Sequence, residues 1–301
     1  VDVIVVEISD GDSRGRAECV PMRRFGETID SVRTALDAMK GAVSSGLARD
    51  TLQSALPPGA ARNALDCAFW AIEANRSYVT VAALAGIGLV KPVETAFTLD
   101  FDTPDKMAAV AAAHRTRPLF RLELGGEDDM DRVRAVRQAA PAARLIVDAN
   151  EGWNAQGLAD IIPGLLDSRV ELIEQPLPAG ADNALAGLGC KIPLCADESC
   201  RTVADLDRIV GKYAAINIKL DKVGGLTPGL ALERAARFHG MKVMLGCSGP
   251  TSLGAAPAYV LGSLCDYVDL DGPALLVDDR ADPMRYDNGR LYCFSSRLWG
   301  G

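Results

Sequence analysis

Three carboxylates stand at the ends of consecutive apolar runs. They are Asp148 in "LIVDANEGW", Glu174 in "ELIEQPLP" and Asp197 in "PLCADES", spaced 26 and 23 residues apart, or about one strand–helix repeat. A single Asp after a strand is often a helix N-cap. Three carboxylates on neighbouring strand ends would repel one another unless a cation neutralised them, and an all-oxygen site suits Mg²⁺ or Mn²⁺. The spacing therefore favours a divalent metal site.

A lysine ends the next apolar run. Lys219 closes "AAINIK", 22 residues after Asp197. An ammonium near a divalent cation and low-dielectric walls is expected to have a lowered pKa, which suits a general base. A metal-bound carboxylate substrate would have a more acidic α-proton. Pairing of Lys219 with one of the ligand carboxylates is the structural alternative.

Two further strand ends carry charges that are two residues apart. Arg121 and Glu123 lie in "LFRLELGG", with Glu123 placed 25 residues before Asp148, and Asp269 and Asp271 lie in "DYVDLDGP". Residues two apart share one face of a strand. Opposite charges on a mostly buried strand face are costly unless they pair or do chemistry. Both pairs are therefore candidates for the site, whereas Asn150 and Glu151 are interpreted as loop or capping groups.

Eight short apolar runs alternate with amphipathic helical segments after residue 92. The runs are 93–98, 119–124, 144–147, 170–173, 192–196, 214–219, 242–246 and 266–270. Their alternation predicts a closed parallel (β/α)8-type barrel over residues 93–283. An open doubly wound sheet is the alternative, but "AFTLDFDTPDK" has no glycine-rich phosphate loop.

The segment before the barrel has a different pattern. Residues 1–92 contain a strand pair followed by helices at 27–43 and 61–76, which predicts an α+β capping domain. The tail at 284–301 is expected to return to it.

Composition excludes several classes of partner. The chain has 301 residues, 49% of them apolar, and a formal net charge of −8, which argues against binding to nucleic acid or an anionic membrane. No apolar run reaches the ~18 residues of a membrane-spanning helix. The eight cysteines form no CxxC pair and are interpreted as reduced thiols, so a cytoplasmic location is predicted.

The sequence resembles the enolase superfamily, specifically the dipeptide epimerases of the Ala-Glu type in the muconate-lactonizing-enzyme-like group. The resemblance covers nearly the whole chain. It is carried by "RRFGETIDSV", "RNALDCAFWAIEA", "LIVDANEGW", "IEQPLP", "ADES", "INIKLDKVGGLT" and "DLDGP". It implies an α+β cap on a (β/α)7β barrel, an isomerase activity and a homo-oligomer. It also implies one Mg²⁺ per subunit, with Mn²⁺ possible, held by Asp148, Glu174 and Asp197, and Lys219 as one of two acid/base lysines.

The resemblance also implies a set of substrate contacts. Asp269 and Asp271 would bind the α-ammonium of a dipeptide, since two carboxylates on one strand face make a site for one ammonium. Thr98, Cys247 and Gly249 match substrate-contacting positions. Arg24, in the cap loop, would meet a distal substrate carboxylate or else be a solvated loop residue. The expected partner is a small-molecule carboxylate, most simply a dipeptide.

The chain departs from this family in two ways. The family usually begins about one hairpin before Val1, so a cap strand is expected to be missing. The family also has Lys-x-Lys on strand two, where this chain reads Arg121-Leu122-Glu123. Glu123 thus replaces the lysine on the face opposite Lys219, and Arg121 and Glu123 are the catalytic candidates on this strand.

Four readings of Glu123 stay open from the sequence. In an epimerase, Lys219 and Glu123 would serve the two faces of the substrate. In a lyase, Lys219 would remove the α-proton while a protonated Glu123 helped a leaving group depart. Glu123 could instead simply pair with Arg121, leaving one-base chemistry, or the chain could be a dipeptide-binding protein without turnover.

Overall fold

An antiparallel hairpin begins the described part of the chain. In the computed structural model, which describes residues 2–300, β1 (Ile4–Asp10) pairs with β2 (Ser13–Cys19) around a turn at Gly11. Val1 and Gly301, the outer ends of the two predicted cap segments, lie outside the described residues.

Four helices and a short strand follow the hairpin. They are α1 (Ile29–Ser44), α2 (Arg49–Ala55), α3 (Ala60–Ser77), α4 (Val81–Leu84) and β3 (Val93–Glu94). The two predicted helices are thereby confirmed. Thr28 caps the N-terminus of helix α1, since its hydroxyl accepts a hydrogen bond from the Ser31 N–H at 3.1 Å. Such a cap satisfies one of the free N–H groups of the first turn.

A parallel sheet of eight strands forms the larger part of the molecule. Its elements in chain order are β4 (Phe97–Leu99), α5 (Pro104–Ala113), β5 (Leu119–Glu123), α6 (Asp129–Ala139), β6 (Arg144–Asp148), α7 (Ala155–Asp167), β7 (Val170–Glu174), β8 (Leu194–Ala196), α8 (Leu206–Ile209), β9 (Ala215–Lys219), α9 (Leu220–Val223), α10 (Leu226–Phe238), β10 (Lys242–Gly246), α11 (Ser252–Gly262) and β11 (Tyr267–Val268). The spatial order of the strands equals their order in the chain. The two edges meet where the Ala96 N–H donates to the Val268 carbonyl at 2.8 Å. The predicted (β/α)7β barrel is confirmed.

The barrel interior is built in tiers. The apolar tier contains one buried residue from each strand region: Ala96, Leu119, Ile146, Leu172, Cys195, Ala215, Met244 and Tyr267. Side chains on one face of a strand recur every two residues. Two residues further along each strand lies a second set of residues on the same face, here called the polar tier. It consists of Thr98, Arg121, Asp148, Glu174, Asp197, Asn217, Gly246 and Asp269. The polar tier lies toward the carboxyl ends of the strands, where barrels of this type place their chemistry.

Two details differ from the sequence prediction. The predicted first strand, 93–98, is divided. Its first part, β3, pairs antiparallel with β13 (Arg290–Leu291), which forms a C-terminal hairpin with β12 (Tyr286–Asp287), whereas β4 joins the barrel. The connection from β7 to β8 contains a short 3₁₀ helix, Asp182–Leu185, and no α-helix.

The end of the chain contacts the N-terminal helices. The Trp299 indole N–H donates to the Cys67 carbonyl at 3.2 Å, and Trp299 is buried. Across residues 2–300, no helix combines the length and the apolar character that a membrane crossing requires.

Candidate active site

Three buried carboxylates of the polar tier form the carboxylate cluster. Asp148, Glu174 and Asp197 each offer one oxygen, and these oxygens lie within 4.8 Å of one another. Asp148 and Glu174 are directly opposite in the register of β6 and β7. Burial and the neighbouring Glu174 raise the pKa of Asp148. The cluster predicted from spacing alone is therefore present in three dimensions.

Arg121 lies against the carboxylate cluster. Its Nε donates to Glu174 Oε2 at 2.9 Å, and its two Nη atoms donate to Asp148 and Glu123. Asp269 Oδ2 is 3.6 Å from Nε. Burial would lower the pKa of Arg121, but these four carboxylates raise it well above its usual range. The guanidinium therefore stays charged and cannot take a proton from a substrate.

Two lysines share the carboxylate of Asp197. Lys219 Nζ donates to Oδ2 at 2.6 Å, and Lys222 Nζ donates to Oδ1 at 2.5 Å. Burial lowers the pKa of Lys219, but Asp197 and Glu174 outweigh it and raise the pKa. Without an ion, Lys219 thus makes the pairing with a ligand carboxylate that the sequence offered as the structural alternative, and the lowered pKa expected beside a divalent cation stays a prediction.

Glu123 lies at the open end of β5. One carboxylate oxygen accepts from Arg121 and the other from the Asn150 side chain. The Glu123 side chain is 24% exposed, whereas those of Arg121 and Asp148 are 6% and 2% exposed. Glu123 is thus hydrogen-bonded on both oxygens and is still the most accessible carboxylate of this group.

Thr98 donates hydrogen bonds to the carboxylates of both Asp269 and Asp271. The Thr98 N–H donates to Asp271 Oδ2 at 2.6 Å, and its hydroxyl donates to Asp269 Oδ1 at 3.1 Å. Burial and the charge of Asp271 raise the pKa of Asp269 to about 7. Thr98, Asp269 and Asp271 are three of the predicted substrate contacts, and they therefore lie together where the two edges of the barrel meet.

Cys247 and Gly249 belong to the loop after β10. Burial is the main cause that raises the pKa of the Cys247 thiol to about 12, and the charges of Asp269 and Asp271 act in the same direction. This thiol is protonated at neutral pH, so it is not a nucleophile. Gly249 has a φ of 71°. A Cβ added to Gly272 would lie 3.1 Å from the Gly249 Cα. The loop thus passes close to the segment after Asp271.

Arg24 lies in the cap loop, on a 3₁₀ turn at Arg23–Phe25. Its guanidinium pairs with Glu151, from Nε to Oε2 at 2.6 Å and from Nη2 to Oε1 at 2.8 Å. Arg24 is therefore tied to the barrel loop that follows Asp148.

The segment after Lys219 is held by helix α3. Asn63 Nδ2 donates to Asp221 at 2.7 Å, and Arg62 donates to the Val223 and Gly224 carbonyls. Gly224 has a φ of 90°, and a Cβ there would lie 2.5 Å from Arg62 Nε. The glycine is needed because helix α3 must come close to the end of β9.

Sequence reasoning missed several groups of the site. Asn217 donates to Glu174, and its own Oδ1 is buried without a partner among the described residues, as is Glu198 Oε2. Burial and Asp197 raise the pKa of Glu198 to about 7. Asn217 was detectable, since it is two residues before Lys219 on one face of β9. Asn150 and Glu151 do lie in a loop as expected, but each contacts a candidate site residue.

The charges of the site do not balance within the chain. If all are counted as ionised, seven carboxylates (Glu123, Asp148, Glu174, Asp197, Glu198, Asp269, Asp271) lie among three cations (Arg121, Lys219, Lys222), so negative charges outnumber positive ones. Buried charges without compensation are costly. A divalent ion and a substrate ammonium would each offset part of this excess.

Comparison with known proteins identifies the family. Residues 102–293, more than half of the chain, match the family described as enolase C-terminal domain-like. The chain belongs to the enolase superfamily. The N-acetyl-D-glutamate racemase of a Pseudoalteromonas species is 42% identical, with 99% of this chain and 95% of that protein covered. The L-Ala-D/L-Glu epimerase of Escherichia coli K12 is also 42% identical, with 96% and 91% covered.

Solved structures of the superfamily confirm the fold. An enolase family member from Agrobacterium tumefaciens, described as having homology to dipeptide epimerases, superposes with a TM-score of 0.97. It is 44% identical, and the match covers 99% of this chain and 91% of that one. That structure has bound sodium and L-Ala-L-Glu, with an ordered loop. The curated relatives named here are isomerases of amino-acid derivatives.

Proposed function

We propose that this enolase-superfamily enzyme removes the α-proton of an N-acylated amino acid, with Lys219 as the base. The observation that carries the proposal is the carboxylate cluster with the Lys219 ammonium 2.6 Å from Asp197. The two 42% identical relatives are named for inversion of such an α-carbon.

The donor set fits one Mg²⁺ per subunit, with Mn²⁺ as a substitute. Asp148, Glu174 and Asp197 would hold it, because three buried carboxylate oxygens within 4.8 Å suit a hard divalent cation. When bound, the ion supplies positive charge against the carboxylate of the substrate and the charge that develops on deprotonation. The unpartnered Asn217 Oδ1, on a side chain that donates to Glu174, is a further buried oxygen next to this cluster.

The substrate that fits best has a free ammonium. Asp269 and Asp271 are both buried, and the charge surplus of the site includes both. An N-acetyl amino acid would bring no positive charge to them, whereas a dipeptide brings its terminal ammonium. We therefore favour a dipeptide of the L-Ala-Glu type, with Thr98, Cys247 and Gly249 around its backbone and Arg24 near its distal carboxylate.

Glu123 is proposed as the acid/base group on the second face. It is the accessible carboxylate at the end of β5, whereas Arg121 stays charged and serves to hold Glu123, Asp148 and Glu174 in place. A second candidate is one-base chemistry, in which Lys219 alone exchanges one epimer. It is favoured by the hydrogen bonds that Arg121 and Asn150 donate to the two Glu123 oxygens, because these bonds occupy the carboxylate.

Proton exchange in D₂O tests the proposal. With Mg²⁺, wild-type protein should incorporate deuterium at the α-carbon of the Glu residue in L-Ala-L-Glu, and Lys219→Met should not. Lys242→Met, an exposed lysine at the start of β10, is the matched control and should keep full exchange. Glu123→Gln should stop epimerisation and leave exchange of one epimer. Binding of the dipeptide without exchange in the wild type would refute the enzyme proposal, and release of an alkene product would indicate a lyase.

Three broader features are proposed on sequence grounds. The cap is formed by residues 1–92 with the tail 284–301, and the barrel domain by residues 93–283. The protein is cytoplasmic, and it assembles as a homo-oligomer.

A further inference from the structure

The cap loop, residues 20–25, lies across the same end of the barrel as the polar tier. It contacts three barrel loops, through Val20 with Asp221, Phe25 with Arg201, and Arg24 with Glu151. These loops follow β9, β8 and β6. Arg24 is therefore placed at the β6 side of the barrel mouth, where the charge of Glu198 also acts on it.

Glu151 is the fixed member of its pair with Arg24. Its Oε1 also accepts the Ala179 N–H at 2.6 Å, and its own N–H donates to the Gln175 carbonyl at 2.8 Å. The side chain of Glu151 is 15% exposed, whereas that of Arg24 is 53% exposed. A long, half-exposed arginine side chain samples many rotamers when nothing holds it. The carboxylate of Glu151 thus decides where the guanidinium of Arg24 lies.

The pair leaves half of the guanidinium available. Glu151 uses the edge formed by Nε and Nη2. Nη1 makes no hydrogen bond to any of the residues 2–300. An arginine fork can bind one carboxylate on its Nε edge and another on its Nη1–Nη2 edge. A second carboxylate can therefore bind Arg24 without displacing Glu151.

An unusual turn places Glu151 there. Asn150 and Glu151 both have left-handed backbones, with φ of 48° and 63°. Such a conformation is uncommon for residues other than glycine and is found at functional sites. This turn directs the Asn150 side chain to Glu123 and the Glu151 side chain to Arg24. One loop thus connects the candidate second acid/base group with the arginine of the cap loop.

We propose that Glu151 is a positioning residue that presents the Nη1–Nη2 edge of Arg24 to the distal carboxylate of the substrate. Glu151 thereby sets the preference for an acidic second residue. The inference rests on the proposed function, since it takes a dipeptide as the ligand. Glu151 itself does not touch the substrate.

Glu151→Gln tests the inference, because the amide keeps an acceptor for the Ala179 N–H and removes the charge that orients Arg24. Affinity for L-Ala-L-Glu and for the neutral L-Ala-L-Gln is measured by calorimetry with Mg²⁺, and KM and kcat are measured where turnover occurs. Wild type should prefer L-Ala-L-Glu. The variant should lose about tenfold in affinity or KM for L-Ala-L-Glu, keep kcat within about twofold, and bind L-Ala-L-Gln as before.

Two other variants serve as controls. Glu171→Gln breaks a similar bidentate pair with Arg144, remote from the polar tier, and should change neither peptide's binding. Arg24→Met should abolish the preference, and adding Glu151→Gln to it should change nothing more.

The possible results separate the two proposals. Equal weakening for both peptides would show a structural role, and tighter binding of L-Ala-L-Glu would show that Glu151 competes with the substrate; either result overturns the inference. A binding preference that is lost in Glu151→Gln, without any proton exchange in the wild type, would uphold the inference and refute the proposed catalysis. Wild type that binds neither peptide would refute both.

Discussion

Gly246 sets the space available to the Lys219 side chain. A Cβ at this position of the polar tier would lie 3.1 Å from Lys219 Cε and 2.8 Å from Asn217 Nδ2. Carbon atoms in relaxed contact are about 3.5–4.0 Å apart, so Gly246→Ala should displace Cε by about 0.4–0.9 Å. A displacement of about 1 Å in a reacting group can cost on the order of 10²-fold in rate. We expect α-proton exchange to fall between about 10- and 100-fold.

The fold should tolerate this substitution. Overpacking by one methyl group costs about 1–3 kcal/mol, and Gly246 does not have a positive φ. Gly262→Ala is the matched control, because its Cβ would also lie 3.1 Å from a neighbour, but that neighbour is the Leu245 side chain. The assay is deuterium incorporation into L-Ala-L-Glu, together with a urea titration of both variants. Wild-type exchange in Gly246→Ala, at unchanged stability, would refute the placement of Lys219 as the base.

Three further changes have defined outcomes. Lys222→Met should lower the free energy of unfolding by about 3–5 kcal/mol, because the fully buried ammonium also binds the Asp197 and Asn217 carbonyls; a loss under about 1 kcal/mol in urea titrations would contradict this. Burial raises the pKa of Asp221 from 3.8 to about 7, so its contribution to stability is full below about pH 4 and is lost as the pH rises through 7. Asp221→Asn should therefore gain stability relative to wild type between pH 5 and 8, by at most about 4 kcal/mol, and an unchanged difference would show that this carboxyl does not titrate there. Glu123→Lys should raise exchange of the second epimer at least about tenfold if the pocket otherwise suits a dipeptide, and no gain would show that the pocket has diverged too.

The carboxylate cluster could be predicted from a general property of parallel barrels. Apolar runs followed by Asp148, Glu174 and Asp197 predict strand ends, and the carboxyl ends of such strands meet at one end of the barrel. The period of two would also have found Asn217 and the apolar tier. The division of 93–98 could not be read, since an alternating pattern does not say which strand a segment pairs with.

The missed contacts depend on conformation that the sequence does not encode locally. Nothing in the types of Asn150 and Glu151 predicts two left-handed residues in succession, so their contacts with Glu123 and Arg24 could not be foreseen. The direction of the Lys219 pKa shift could not be settled for a related reason. The sequence offered both a nearby cation and pairing with a ligand carboxylate, whereas the balance among Asp197, Glu174 and Arg121 depends on three-dimensional distances.

Each strand contributes one residue to the polar tier, and this has a practical consequence. Asp148, Glu174 and Asp197 come from different strand–helix units, so an unfolded chain presents no such cluster. A molecule that bridges these strand ends binds the closed barrel alone and raises the melting temperature, by an amount equivalent to about 2.7 kcal/mol at a hundred times its Kd. Thermal-shift screening of cations and peptides would thus report occupancy of this site without any catalytic assay.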